Sequence, residues 1–103
     1  MIPLALVKQH LRVLHNREDE LIESYIDAAL QAFEDFTERK LYSDQGALDA
    51  DSKSPEHTAV INTGILQGAL LLIGNYYTYR NTGADFPKGT ERLWQTYKVY
   101  RIA

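Results

Sequence analysis

The chain of 103 residues has no cysteine, one methionine, one tryptophan and three prolines. Without cysteine there is no disulfide frame, no thiolate nucleophile and no Cys-based zinc site. The longest uninterrupted apolar run, Ala69 to Ile73, is far short of the ~20 residues a membrane span requires. The opening residues Met1–Val7 lack a basic leader and their apolar character ends at Lys8, so they do not read as a secretory signal. Also missing are a G-x-S-x-G elbow, a phosphate-cradling glycine loop and Glu-x-x-His pairs. These absences point away from an enzyme, and no catalytic, cofactor-binding or metal-ligating residue is assigned.

The residues present have an ordinary globular balance, 45% hydrophobic and 24% charged, with a formal net charge of −3. That excludes global disorder, and the length fits a single domain over 1–103. Charge is unevenly spread. Residues 1–56 carry six bases against twelve acids, whereas residues 57–103 carry five bases against two acids. Such a split suits copies that meet with unlike ends together, which favours one docking register; a chance imbalance in a short chain is the competing reading. The overall acidity disfavours a nucleic-acid footprint, which needs a clustered basic surface.

Periodicity predicts an all-α fold, a small bundle of about four helices with no strand. Pro3 suits a first helical turn, and Leu4, Val7, Leu11 and Leu14 fall on one helical stripe over about 4–13. Asn16 reads as an N-cap for a second helix running to about Lys40. Leu21, Ile22, Tyr25, Ile26, Ala29, Phe33 and Phe36 form its apolar face. Residues 42–55 are polar and rich in turn formers, a long loop. Ser54 and Pro55 signal the start of a third helix reaching about Arg80. Its glycines at 64, 68 and 74, unfavourable in a helix interior, imply close helix approach or a bend. After a second loop, Thr90 caps a last helix over about 91–97, and an extended tail of alternating character follows to Ala103.

Histidines at 10, 15 and 57 read as surface residues. His15 and Asp19 have a spacing that can share a metal on one helix face, but the expected break between them disrupts it. Glu34, Asp35 and Glu38 place carboxylates together on the second helix, best read as a solvated face. Six of the eight tyrosine and tryptophan residues lie in the last third. Such side chains have apolar bodies and polar tips, suited to burial against a partner. Tyr76, Tyr79, Arg80, Arg92, Trp94, Tyr97 and Tyr100 are therefore candidate interface residues. Packing of the rings within the chain is the competing expectation.

Several segments form an ordered pattern. Val7-Lys8-Gln9-His10-Leu11-Arg12 reads V-K-x-x-L-R. Glu18–Ile22, Ala28-Ala29 and Glu34–Thr37 continue it as an acid-led start, small residues, and an acid with an aromatic. Ala69–Leu72 is an alanine-led apolar run, Tyr77-Thr78-Tyr79-Arg80 reads Y-x-x-R, and Leu93–Lys98 is close to L-L-x-x-Y-R. Together, in this order, they resemble the tailed-bacteriophage head–tail connector (DNA-packaging adaptor, head-completion) family. Residues 42–64 fall outside the likeness. The resemblance implies a structural subunit of a phage or prophage, without catalysis or cofactor. It implies a ring of copies beneath the portal that extends the DNA channel, with DNA passing transiently. Its partners would be itself, the portal protein and the next head-completion or tail protein, with no membrane. It would sit at the virion head–tail junction after a period in the host cytoplasm. Glu34, Asp35 and Glu38 are then candidate channel-facing acids. The alternative is a small helical DNA-binding or regulatory protein.

Overall fold

A computed structural model describes residues 1–79 and 87–99. In chain order the elements are α1 (Leu4–Leu11), α2 (Asp19–Thr37), β1 (Lys40–Tyr42), α3 (Gln45–Ala50), β2 (Thr58–Val60), α4 (Thr63–Thr78) and α5 (Lys88–Gln95). The protein is mostly helical, but the all-α expectation needs correcting. Strands β1 and β2 pair in parallel, with Lys40 opposite Thr58, Leu41 opposite Ala59 and Tyr42 opposite Val60. Parallel partners need a crossover of a dozen or more residues, and residues 43–57 supply it.

That crossover is the stretch read as a long loop. It holds a short helix, α3, whose first turn is closed by Asp44: its carboxylate accepts the Ala47 N–H at 2.7 Å. Residues 52–57 are exposed. The Ser54–Pro55 start signal is not used, because Thr58–Val60 is taken up by pairing with β1. Asn62 caps α4 instead, accepting the Ile65 N–H at 2.9 Å.

α1 ends two residues early. Arg12 takes a left-handed conformation (φ 59°), and the Val13 N–H reaches back to the Lys8 carbonyl at 2.9 Å, a Schellman-type cap. Val13 turns inward and Leu14 outward, so Leu14 leaves the apolar stripe and stands 99% exposed. Asn16 does not cap α2. Its side chain accepts a hydrogen bond from Lys8 Nζ at 2.7 Å, and the same ammonium pairs with Asp19 at 2.9 Å, which ties the end of α1 to the start of α2.

α4 is the central helix, in contact with α1, α2 and α5. Ile65, Ala69, Leu70, Leu72 and Ile73 pack against Ile22, Ile26, Ala29 and Phe33 of α2, with Val7 and Trp94 closing the core. Close approach occurs at Gly68, where a Cβ would collide with the Trp94 indole. Thr90 is not a cap: α5 begins at Lys88 after Pro87, and Thr90 is buried inside it. The expected tail is described only as far as Val99; Tyr100–Ala103 lie outside the described residues.

Candidate assembly surfaces

The apolar face of α2 fixes what its other face presents. Burying Ile22, Ile26, Ala29 and Phe33 turns Glu20, Glu23, Asp27, Asp35 and Glu38 out to solvent, and α2 itself carries no base. The three acids singled out from sequence are not equivalent. Glu34 is half-buried and turned toward β1, where its carboxylate accepts the Leu41 N–H at 2.8 Å. This satisfies an amide on the side of β1 away from β2. Asp35 accepts from Gln31 Nε2 at 2.9 Å and stays exposed. Glu38 is the exposed left-handed residue that ends the helix, at φ 59°.

The interface candidates separate in the same way. Trp94 is fully buried, its ring edge-on to Phe33 with centroids 5.2 Å apart and its N–H donated to the Ile65 carbonyl at 3.1 Å. It belongs to the core of a single chain and is corrected as a partner contact. The reason is the gap opposite Gly68, which accepts the indole. Tyr97 is half-buried against Phe33, and its hydroxyl accepts from Asn62 Nδ2 at 2.6 Å. Tyr76 packs on Tyr25 with centroids 5.9 Å apart, and burial pushes its phenol pKa up. Tyr79 and Arg92 are exposed. Arg80 and Tyr100 lie outside the described residues.

Sequence reasoning overlooked Leu14, the most exposed large apolar side chain among the described residues. Helical spacing puts it in the apolar stripe only when extended past Leu11, where the helix stops. The break signalled by His15-Asn16-Arg17 carried the missing information. Leu14 continues a groove of about 510 Å³ along α1, lined also by Ala5, Gln9, Arg12 and Val13. A separate open pocket of about 260 Å³ lies between the chain start and α2, lined by Ile2, Leu4, Ile26 and Leu30 together with Glu23 and Asp27.

His15 accepts the Arg17 N–H through Nδ1 at 3.2 Å, and its Nε2 lies 3.8 Å from Glu18 rather than joining Asp19. Among the described residues no group of three or more His, Cys, Asp or Glu is placed to hold a metal ion. No helix among them is long and apolar enough to cross a membrane.

One polar cluster does perturb its members. Asp51, just past α3, accepts from Tyr42 Oη at 2.5 Å and pairs with Lys40 Nζ at 3.1 Å. The Tyr42 and Lys40 hydrogen bonds draw its pKa down to about 2. The Lys40 pKa is raised, first by its bond to Asp51. The cluster fastens α3 onto the strand before it.

The family model for phage gp6-like head–tail connector proteins matches residues 1–97. Among solved structures, the crystal structure of bacteriophage HK97 gp6 is similar, with a TM-score of 0.68 and 19% identity over 95% of this chain and 93% of that chain. At that identity the likeness shows the fold alone. No curated protein matches the chain.

Proposed function

Because the chain belongs to the phage gp6-like head–tail connector family, a structural and not an enzymatic one, we propose that copies of it close into a ring beneath the portal. The ring extends the DNA channel and offers the next head-completion or tail protein a docking surface. The family match over almost the whole chain carries this reading. The structure adds physical support, because the molecule presents unlike surfaces in different places, an apolar knob at Leu14 just past α1 and an acidic face on α2. Unlike surfaces generate head-to-tail contacts, which close into rings when the rotation allows.

The acidic face of α2 suits a lumen. Asp35 and Glu38, with Glu20 along the same helix, present negative charge that repels DNA phosphates and lets a duplex slide. Glu34 contributes less to that surface, since its carboxylate is held by Leu41. Tyr79 and Arg92 are the described interface candidates free of the core, and they are assigned to contacts with a neighbouring subunit or the portal.

The test is particle mass and electron-microscope imaging of the purified protein, alone and mixed with the portal protein. Closed rings are expected. A chain that stays monomeric with the portal present overturns the ring. DNA binding is expected to be weak at moderate salt; tight binding lost steeply as salt rises would favour the DNA-binding alternative.

A further inference from the structure

The geometry points to one specific contact between neighbouring copies: Leu14 of one chain seats in the pocket between the chain start and α2 of the next, with Arg12 and Arg17 against Glu23 and Asp27. It rests on the ring reading and names the surfaces that would build it.

Single exposed leucines are common on protein surfaces and need no explanation. Leu14 differs in being held out. The left-handed turn at Arg12 tucks Val13 inward and commits Leu14 to solvent, and a non-glycine residue takes that conformation at a cost. Leu14 also continues the apolar groove along α1. The chain therefore holds a leucine at full exposure beside further apolar surface.

The pocket has a mixed lining: the apolar side chains of Leu4, Ile26 and Leu30 stand beside Glu23 and Asp27, and more of the exposed lining is polar than apolar. The hollow is open to solvent and has a volume of about 260 Å³, room enough for a leucine side chain. Charge is complementary. Glu23 and Asp27, one helical turn apart on α2, are exposed, whereas Arg12 and Arg17 are exposed on either side of Leu14. Lys8 is not the docking cation, because Asp19 and Asn16 hold it. Opposite potentials around an apolar plug favour one register and disfavour knob-to-knob pairing, which would bring the arginines together.

The two surfaces share no lining residue. The contact is thus heterologous, and its repetition produces a ring or a helix and no two-fold dimer.

The chain has no cysteine, which permits a clean crosslinking test. Full-length Leu14→Cys and Asp27→Cys chains, both altered at exposed positions, are mixed and oxidised. Mixed disulfides between the two variants are expected to outnumber either self-crosslink, because a disulfide needs Cα atoms within about 7 Å. Predominant Leu14→Cys self-crosslinks, or no mixed crosslink, would overturn the contact. In parallel, the wild-type mass is compared with that of Leu14→Asp. Loss of the seated leucine is expected to weaken self-association by about tenfold or more with helicity unchanged. Wild type that assembles while Leu14→Asp assembles equally sinks this contact and leaves the ring reading standing. Wild type that neither assembles, even with the portal protein, nor gives mixed crosslinks sinks both. Mixed crosslinks without rings support the contact and sink the ring alone.

Discussion

Trp94 of α5 occupies the space above Gly68 of α4 that any other residue's Cβ would fill. Two hydrogen bonds fix the approach: the indole N–H donates to the Ile65 carbonyl at 3.1 Å and the Thr90 hydroxyl to the Gly68 carbonyl at 2.7 Å. Phe33 of α2 meets the same indole edge-on. A glycine unfavourable to an isolated helix is what brings three helices together.

Gly68→Ala is therefore expected to destabilise the fold. The gain in helix propensity is about 1 kcal/mol, but overpacking a filled core costs about 1–3 kcal/mol, and here the added atom meets a ring pinned by its hydrogen bond. Trp94→Ala should cost about 3–5 kcal/mol, as large core truncations do. Urea denaturation followed by far-ultraviolet circular dichroism measures both. A Gly68→Ala protein as stable as wild type would show that α5 does not seat on α4 in this way.

Glu34→Ala should act on the sheet and leave the acidic face of α2 almost unchanged. It strips the Leu41 N–H of its acceptor, and an unpaired buried amide costs about 1–3 kcal/mol. Amide exchange at Leu41 is expected to accelerate. Asp35→Ala and Glu38→Ala, by contrast, should leave Leu41 exchange alone. Equal exchange in all three variants would show that the Glu34 carboxylate is not the acceptor.

The Lys40–Tyr42–Asp51 cluster sets a pH window for the attachment of α3. Asp51 is depressed from 3.8 to about 2 in the fold, so its contribution is complete above its unfolded value and is lost as pH falls through about 2. Lys40 is raised, so its contribution is complete below its ordinary value of 10.5 and is lost at still higher pH. The Asp51 carboxyl resonance should titrate near pH 2, and Tyr42→Phe should move that midpoint upward toward 3.8. A midpoint already at 3.8 in the unaltered protein would mean the cluster does not form.

The helices that were legible in the sequence are those with long apolar periods. The buried positions Ile22, Ile26, Ala29 and Phe33 of α2 recur every three or four residues, and α4 is apolar around most of its circumference. The sheet was not legible because its strands have three residues each, too few to display an alternating period. Ser54-Pro55 carries the local chemistry of a helix start, yet pairing of Thr58–Val60 with β1 overrides it. Thr90 has the residue type of a cap, but its hydroxyl is spent on the Gly68 carbonyl. For the assembly surfaces the limit was similar. Counting tyrosines and tryptophan cannot tell Trp94 from Tyr79, because the difference lies in a single glycine on another helix. Leu14 was lost for the opposite reason, since helical spacing was carried past the left-handed turn at Arg12.

Arg39 offers a test of how the last described segment is held. Its Nε donates to the Tyr97 carbonyl and its Nη1 to the Thr58 carbonyl at 3.2 Å, while its backbone N–H donates to the buried Thr37 hydroxyl at 3.3 Å. The guanidinium thereby joins strand β2 to the chain beyond α5 while the backbone N–H of the same residue holds the end of α2, beside the bond from the Val99 N–H to the Thr37 carbonyl at 2.9 Å. A lysine keeps the charge but lacks the planar fork that reaches two carbonyls at once. Arg39→Lys is expected to lose about 1.5–3 kcal/mol, the range for a hydrogen bond to a charged group. Exchange at Val99 should accelerate more than exchange within α4, because the loss falls on the segment that Arg39 holds. Uniform acceleration across the chain would instead mean that the guanidinium supports the whole core, and an unchanged Val99 would mean that the Thr37 carbonyl holds that segment without it.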